Sequence, residues 1–238
     1  MGESGRSLPA KPSGEGRRDR TSVSQQDYLK AILEMEQEDQ VPISARLSEE
    51  LGVTPPAVTA ALKRMARKGY VRLEPRGRIH LTRKGRQVAS HLILRHQLAE
   101  KLLVEVLGMS WTRVHDEAEK LEHAISPELE ELLLQHFGRE GTCPHGSLLS
   151  GGLARLRREE NARPLSDTRK GQRVEILCVF EKDPQFLDYL DRRRLRPGTR
   201  LLVEHKDYDE TVQLLVAGKT VHLGKNASDR IWVKPLRG

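Results

Sequence analysis

Aromatic residues are scarce in this chain, at 4% of 238 positions. A core must therefore rest mainly on aliphatic side chains, and with 32% of residues charged the composition fits a helix-rich protein of one to three small domains. Cysteine is limited to Cys143 and Cys178, which lie far apart in different kinds of segment. That excludes a disulfide framework and leads us to expect a reduced, cytoplasmic setting. No apolar run approaches ~18 residues, so no membrane span is expected. Basic residues near the N-terminus are followed by no apolar stretch, so no secretory signal is expected either. Glycine-rich phosphate loops, nucleophile elbows, His-Glu-x-x-His and the Glu-x-x-His of di-metal enzymes are all missing. Ser126 has His123 three residues before it but no triad partner. Nothing here supports catalysis, and the chain is not expected to be an enzyme.

What is present is charge of opposite sign in separate blocks. Residues 54–86 hold ten Lys or Arg against one acid, whereas residues 100–142 hold ten acids against four basic residues. The first block suits a polyanion and the second suits cations.

Within the acidic block His115, Glu119, Glu122 and His123 are spaced i, i+4, i+7 and i+8. On a helix they share a stripe roughly 100° wide. His96 and Glu100 form another i, i+4 pair, and Asp27 lies on an earlier helix. These are seven oxygen or nitrogen donors on three helices, with no thiol or thioether among them. Such a set suits Mn²⁺ or Fe²⁺ better than thiolate-loving metals. Each donor alone could be ordinary helix surface. Two other readings stay open: a metal-independent regulator whose stripe is structural, and a metal-dependent enzyme or storage protein.

The apolar pattern divides the chain. Residues 1–22, rich in Gly, Ser, Pro and Arg, read as a disordered tail. Residues 23–86 carry helix, helix, turn, helix and hairpin, the layout of a winged helix-turn-helix. Thr54 is placed as an N-cap with Pro55 at the first helical position. Residues 87–142 give a helical metal-binding and dimerisation domain: a long helix to about residue 107, one over 111–125 and one over 127–137. Residues 143–170 read as a linker. Residues 171–238 alternate in short strands, five in all, which suggests a small SH3-like barrel. The fold class is therefore mainly α with a small β domain.

The motifs Asp27-Tyr28-Leu29, Val53-Thr54-Pro55-Pro56-Ala57-Val58, Arg95-His96-Gln97-Leu98-Ala99-Glu100 and Val114-His115-Asp116-Glu117-Ala118-Glu119-Lys120-Leu121-Glu122-His123 resemble those of the diphtheria-toxin-repressor (DtxR/MntR) family of metal-dependent regulators. The likeness is close over residues 23–142 and looser over 172–238, which resembles the family's SH3-like (FeoA-like) third domain. It implies a primary metal site at Asp27, Glu119, Glu122 and His123, and a second at His96, Glu100 and His115. Glu181 and Gln185 are the matches for ligands lent by the third domain. Acids at 27 and 119 follow the manganese-sensing branch rather than the iron-sensing one, so Mn²⁺ is the expected ion and Fe²⁺ the alternative. Lys30 stands where that branch usually carries glutamate, which leaves open whether two ions form a close pair.

The expected function is metal-dependent transcription regulation, with repression of metal-uptake genes by a homodimer on double-stranded operator DNA. The helix from Thr54 is expected in the major groove, where Thr54, Pro55, Pro56, Ala57 and Thr59 face base edges. Lys63, Arg64 and the wing residues Arg76 and Arg78 are expected on phosphates or in the minor groove.

Overall fold

The computed structural model describes residues 23–149 and 151–236. The expected tail, residues 1–22, lies outside the described residues.

The N-terminal unit is built from α1 (Val23–Gln37), α2 (Ser44–Glu50), α3 (Pro55–Arg67), β1 (Val71–Leu73) and β2 (Ile79–Leu81). Leu29 and Ile32 of α1, Leu47 of α2, Val58 and Met65 of α3, and Tyr70 and Ile79 close one apolar core. Gly52 turns the chain between α2 and α3 at φ +61°, a conformation that favours glycine. Thr54 is extended and Pro55 occupies the first turn of α3, but the Thr54 side chain makes no capping hydrogen bond. The hairpin pairs Val71 with Leu81 and Leu73 with Ile79.

α4 (Arg83–Lys101) is the spine of the molecule, packed against α1 on one side and α5 on the other. The Thr82 hydroxyl caps it by accepting from Gly85 N at 3.1 Å. Its expected extension to residue 107 is present but widens to π-helical geometry over Leu102–Val106. α5 (Val114–Glu122) is shorter than the expected 111–125, with His123 as its C-cap. α6 (Pro127–Phe137) begins at Ser126, whose hydroxyl accepts from Leu129 N, and ends at Gly138.

The segment 143–170, expected as a linker, is ordered structure. It holds α7 (Gly152–Glu160), the short strand β3 (Arg163–Pro164) and a 3-10 turn at Leu165–Asp167. Leu153, Leu156 and Ala162 bury against Cys178 and Trp232, so this polar-looking stretch has a small core of its own.

The C-terminal sheet is antiparallel in the order β3-β8-β4-β5-β6-β7. Its strands are β4 (Arg173–Val179), β5 (Arg200–Lys206), β6 (Val212–Val216), β7 (Lys219–Leu223) and β8 (Ile231–Pro235). The five expected strands are there, and β3 adds a sixth at the edge through Arg163–Val233 and Pro164–Trp232. The sheet unit thus starts near residue 163 rather than 171. α8 (Pro184–Arg192) follows β4, and α9 (Lys225–Ser228) precedes β8. Among the described residues, no helix is long and apolar enough to cross a membrane.

Candidate metal centre

Two groups of ligand-type atoms converge around α4 and α5. In the first, Asp27 of α1 meets Glu122 and His123 at the end of α5. His123 Nε2 lies 2.8 Å from Asp27 Oδ1 and 3.7 Å from Glu122 Oε1. The other ring nitrogen, Nδ1, is 2.9 Å from Gln26 Oε1. A neutral imidazole that donates to that amide oxygen leaves Nε2 as a lone pair for a metal. Burial raises the Asp27 carboxyl above its ordinary pKa, with His123 pulling the other way. These atoms line a cavity of about 400 Å³ shared with Lys30, Glu34 and Glu119.

Glu119 shares the cavity but not the tight group. Its carboxylate lies 3.7 Å from His115 Nε2 and 3.8 Å from Lys30 Nζ, and its side chain is half exposed. Lys30 is buried. It donates to Glu122 Oε2 at 2.7 Å, and its ammonium is 3.3 Å from His96 Nδ1. Glu122 therefore faces two ways, with Oε1 toward His123 and Oε2 toward Lys30 and His96. Burial works to raise the Glu122 pKa, but His96 and Lys30 hold it below the usual value.

The second group is deeper. His96, Glu100, His115 and Glu181 bring four donor atoms together. His96 Nε2 is 3.0 Å from His115 Nδ1, 3.2 Å from Glu100 Oε1 and 3.9 Å from Glu181 Oε1. Glu181 comes from the segment between β4 and α8, so the sheet unit closes this group. Gln185 does not join it. Asp183 caps α8 by accepting from Phe186 N, and the helix that starts there leaves Gln185 exposed.

Two residues absent from the sequence-based set complete the picture. Cys143 and His145 reach Glu100 and Glu181 from the other side. His145 Nδ1 lies 3.1 Å from Glu100 Oε1 and 3.5 Å from Glu181 Oε2. Its Nε2 is 2.8 Å from the Trp111 carbonyl, where it can only donate. In the neutral ring Nδ1 is then a lone pair aimed into the group. Both His145 Nδ1 and Glu100 Oε2 are buried without a well-formed hydrogen bond. Buried donor atoms of this kind, in a set of carboxylates and imidazoles, fit a divalent ion. Burial opposes protonation of His96 and His145, yet neighbouring carboxylates push their pKa values up to about 10 and about 9. Burial, then Glu100 and Glu181, push the Cys143 thiol well above its ordinary range. The pair Cys143-x-His145 was the available signal for this side of the group, inside a stretch whose glycines and arginines read as a linker.

The DNA-facing residues expected from the sequence are all on the surface. Thr54, Pro55, Pro56, Ala57 and Thr59 are exposed at the start of α3, Lys63 and Arg64 lie further along it, and Arg76 and Arg78 are exposed on the hairpin turn. Thr59 donates its hydroxyl proton to the Pro55 carbonyl at 3.0 Å, which leaves its oxygen to accept.

Three family profiles match the chain: the N-terminal DNA-binding domain of iron-dependent repressors over residues 20–79, their metal-binding and dimerisation domain over 82–148, and the FeoA domain over 163–235. The diphtheria toxin repressor of Corynebacterium glutamicum is 34% identical over 220 residues, covering 89% of this chain and 96% of that protein. The iron-dependent repressor IdeR of Mycobacterium leprae is 37% identical over 126 residues, and there the match covers 53% of this chain and only about half, 55%, of the relative. Among solved structures, a manganese-dependent transcriptional repressor in complex with manganese aligns with a TM-score of 0.81 at 31% identity, over 89% of this chain and all of that one. The apo form of the manganese-activated repressor ScaR aligns with a TM-score of 0.76 at 26% identity, over 88% of this chain and all of that one.

Proposed function

The chain belongs to the diphtheria-toxin-repressor family of metal-dependent regulators, and on that footing we propose that it is a cytoplasmic repressor of metal-uptake genes, active as a homodimer on operator DNA when loaded with Mn²⁺ or Fe²⁺. The observation that carries this reading is the meeting of Asp27, from the DNA-reading unit, with Glu122 and His123 of the helical body. α1 and α3 share one apolar core, to which α1 contributes Leu29 and Ile32 and α3 contributes Val58 and Met65. Holding Asp27 against α5 therefore holds α3, and with it the face that would enter the groove.

A bound divalent ion supplies positive charge that Asp27 and Glu122 can share. Without it these two carboxylates face each other across His123, with Lys30 engaging only the far oxygen of Glu122, and like charges disfavour that approach. Metal then favours the DNA-competent arrangement by its differential affinity for it. By reciprocity, operator DNA tightens metal binding by the same factor. The second group, with Glu181 from the sheet unit, supports a further ion that ties that unit to the body. Family relatives named for iron and for manganese support both ions as activators, and the oxygen and nitrogen donors here accept either.

The test uses a duplex selected from random sequence by the Mn²⁺-loaded protein. Its affinity is titrated at buffered free Mn²⁺ and Fe²⁺ for wild type and Glu122→Gln. We expect wild-type affinity to rise at least tenfold with metal and the variant to lose most of that gain, in line with ordinary coupling free energies. Equal affinity with and without metal in the wild type would overturn the reading.

A further inference from the structure

Glu181 and Lys182 are neighbours in sequence but face different parts of the molecule. Glu181 points into the second ligand group, with Oε2 3.5 Å from His145 Nδ1. Lys182 points to the DNA-reading unit, where it donates to Glu34 of α1 at 2.7 Å and to Glu50 of α2 at 2.5 Å. The backbone that carries them is held at both ends. Val179 N donates to the His145 carbonyl at 3.0 Å and Phe180 N to the Arg230 carbonyl at 3.0 Å. Asp183 caps α8 and accepts from Arg230 at 3.0 Å. Two side chains on one pinned segment cannot move independently over more than their own rotamers.

The geometry points to Lys182 as a positioning residue for DNA binding: it conveys occupancy of the second ligand group, through Glu181, to the α1–α2 pair on which α3 is mounted. Glu34 lies seven residues beyond Asp27 on α1, and Glu50 is the last residue of α2. One ammonium therefore bridges the helix that bears a primary-site ligand and the first helix of the helix-turn-helix. An ion that fixes Glu181 fixes the anchor of that bridge, and α2, which has no ligand of its own, becomes ordered relative to the body.

This inference rests on metal-activated DNA binding, and its test separates the two. Full-length wild type, Lys182→Met, Lys182→Arg, Glu181→Gln and the double variant Glu181→Gln/Lys182→Met are compared. Three quantities are read: Mn²⁺ bound per chain, affinity for the selected duplex with and without saturating Mn²⁺, and hydrogen exchange of α2 amides with and without Mn²⁺. Lys182→Met should bind Mn²⁺ like wild type and keep the metal-free DNA affinity. It should lose about tenfold in Mn²⁺-saturated DNA affinity and lose the Mn²⁺-induced protection of α2. Lys182→Arg should restore both, and the double variant should be no weaker than the worse single one. The inference is overturned if Lys182→Met weakens DNA binding equally with and without Mn²⁺, if its Mn²⁺-induced α2 protection equals that of wild type, or if the single losses multiply in the double variant. Should wild-type DNA binding prove metal-independent, the functional proposal fails, and the exchange of α2 still decides the role of Lys182.

Discussion

Lys30 places a fixed positive charge inside a group of ligands, and its consequence is local. Its ammonium already satisfies Glu122 Oε2, so an ion approaching Glu122 meets both a competitor for that carboxylate and a like charge. Lys30→Gln should therefore tighten Mn²⁺ at the Asp27 group by about tenfold, or about 1.4 kcal/mol, measured from the electron paramagnetic resonance signal of free Mn²⁺. The same change should lower the stability of the metal-free protein by about 1–3 kcal/mol, because buried Glu122 loses one of its two charged partners and keeps only His96. Unchanged affinity would mean that Lys30 does not compete. The two raised imidazoles set a pH dependence of their own. His96 at about 10 and His145 at about 9 both hold a proton at pH 7, and an ion must displace protons from the rings it uses. Raising the pH removes those protons, so Mn²⁺ affinity at the second group should rise between pH 7 and 9 by about tenfold per unit for each ring engaged. The metal-free fold behaves oppositely. A His96 pKa above its unfolded value of 6.5 gives stability that is fully present below pH 6.5 and is lost as the pH climbs to about 10. Melting temperature measured across that window, with and without Mn²⁺, checks both signs.

At the scale of elements, α3 and the hairpin should account for the salt dependence of DNA binding. Arg76 and Arg78 are exposed on the turn between β1 and β2, and Lys63 and Arg64 are exposed on α3. Alanine at Arg76 or Arg78 should weaken binding to all sequences alike and reduce the slope of log affinity against log salt by about 1 each. A substitution at the start of α3, such as Thr54→Ala, should instead change which base pairs are preferred. These elements were legible in the sequence because each writes its own signal: the 3.6-residue period of α1 and α3, Gly52 and Pro55 at the turn, and alternation in the hairpin. The His/Glu stripe on α5 was legible for the same reason, since i, i+4 and i+7 spacing fixes a face within one helix. Cys143 and His145 were not, and Glu181 was marked only by the family resemblance. They sit on irregular segments, and what brings them to Glu100 is tertiary packing. Gly146 illustrates the point: a Cβ there would lie 1.9 Å from the Leu177 carbonyl, so the loop that carries His145 can lie on β4 only because residue 146 is glycine. Nothing in the local spacing announces that contact. Likewise α7 hides two buried leucines, Leu153 and Leu156, among arginines and glutamates, and composition alone reads it as a linker. Gln185 shows the converse, a residue placed by alignment that the start of α8 leaves on the surface.

At the scale of the whole molecule, the helical body leaves apolar side chains uncovered. Among the described residues Val106, Leu107, Leu121, Leu129 and Leu132 are exposed, and all lie on or just after the π-helical end of α4, on α5 or on α6. The matching family profile describes this unit as a metal-binding and dimerisation domain, and exposed apolar side chains suit such a role. Two copies joined there would carry two α3 helices, and a two-fold operator would be gripped by both at once. Val106→Glu combined with Leu132→Glu should lower the mass in sedimentation equilibrium toward that of one chain. These are exposed positions, so folding stability should change by no more than about 0.5 kcal/mol at each. The loss in operator affinity should be far larger, about 10²-fold or more, because the second half-site is no longer tethered to the first. Metal binding provides the control. Every candidate ligand in both groups comes from a single chain, so the dissociated variant should take up Mn²⁺ with the stoichiometry of wild type. If it lost its metal together with its partner, the body would need the second copy to hold the ligands in place, and the sites described within one chain would be incomplete.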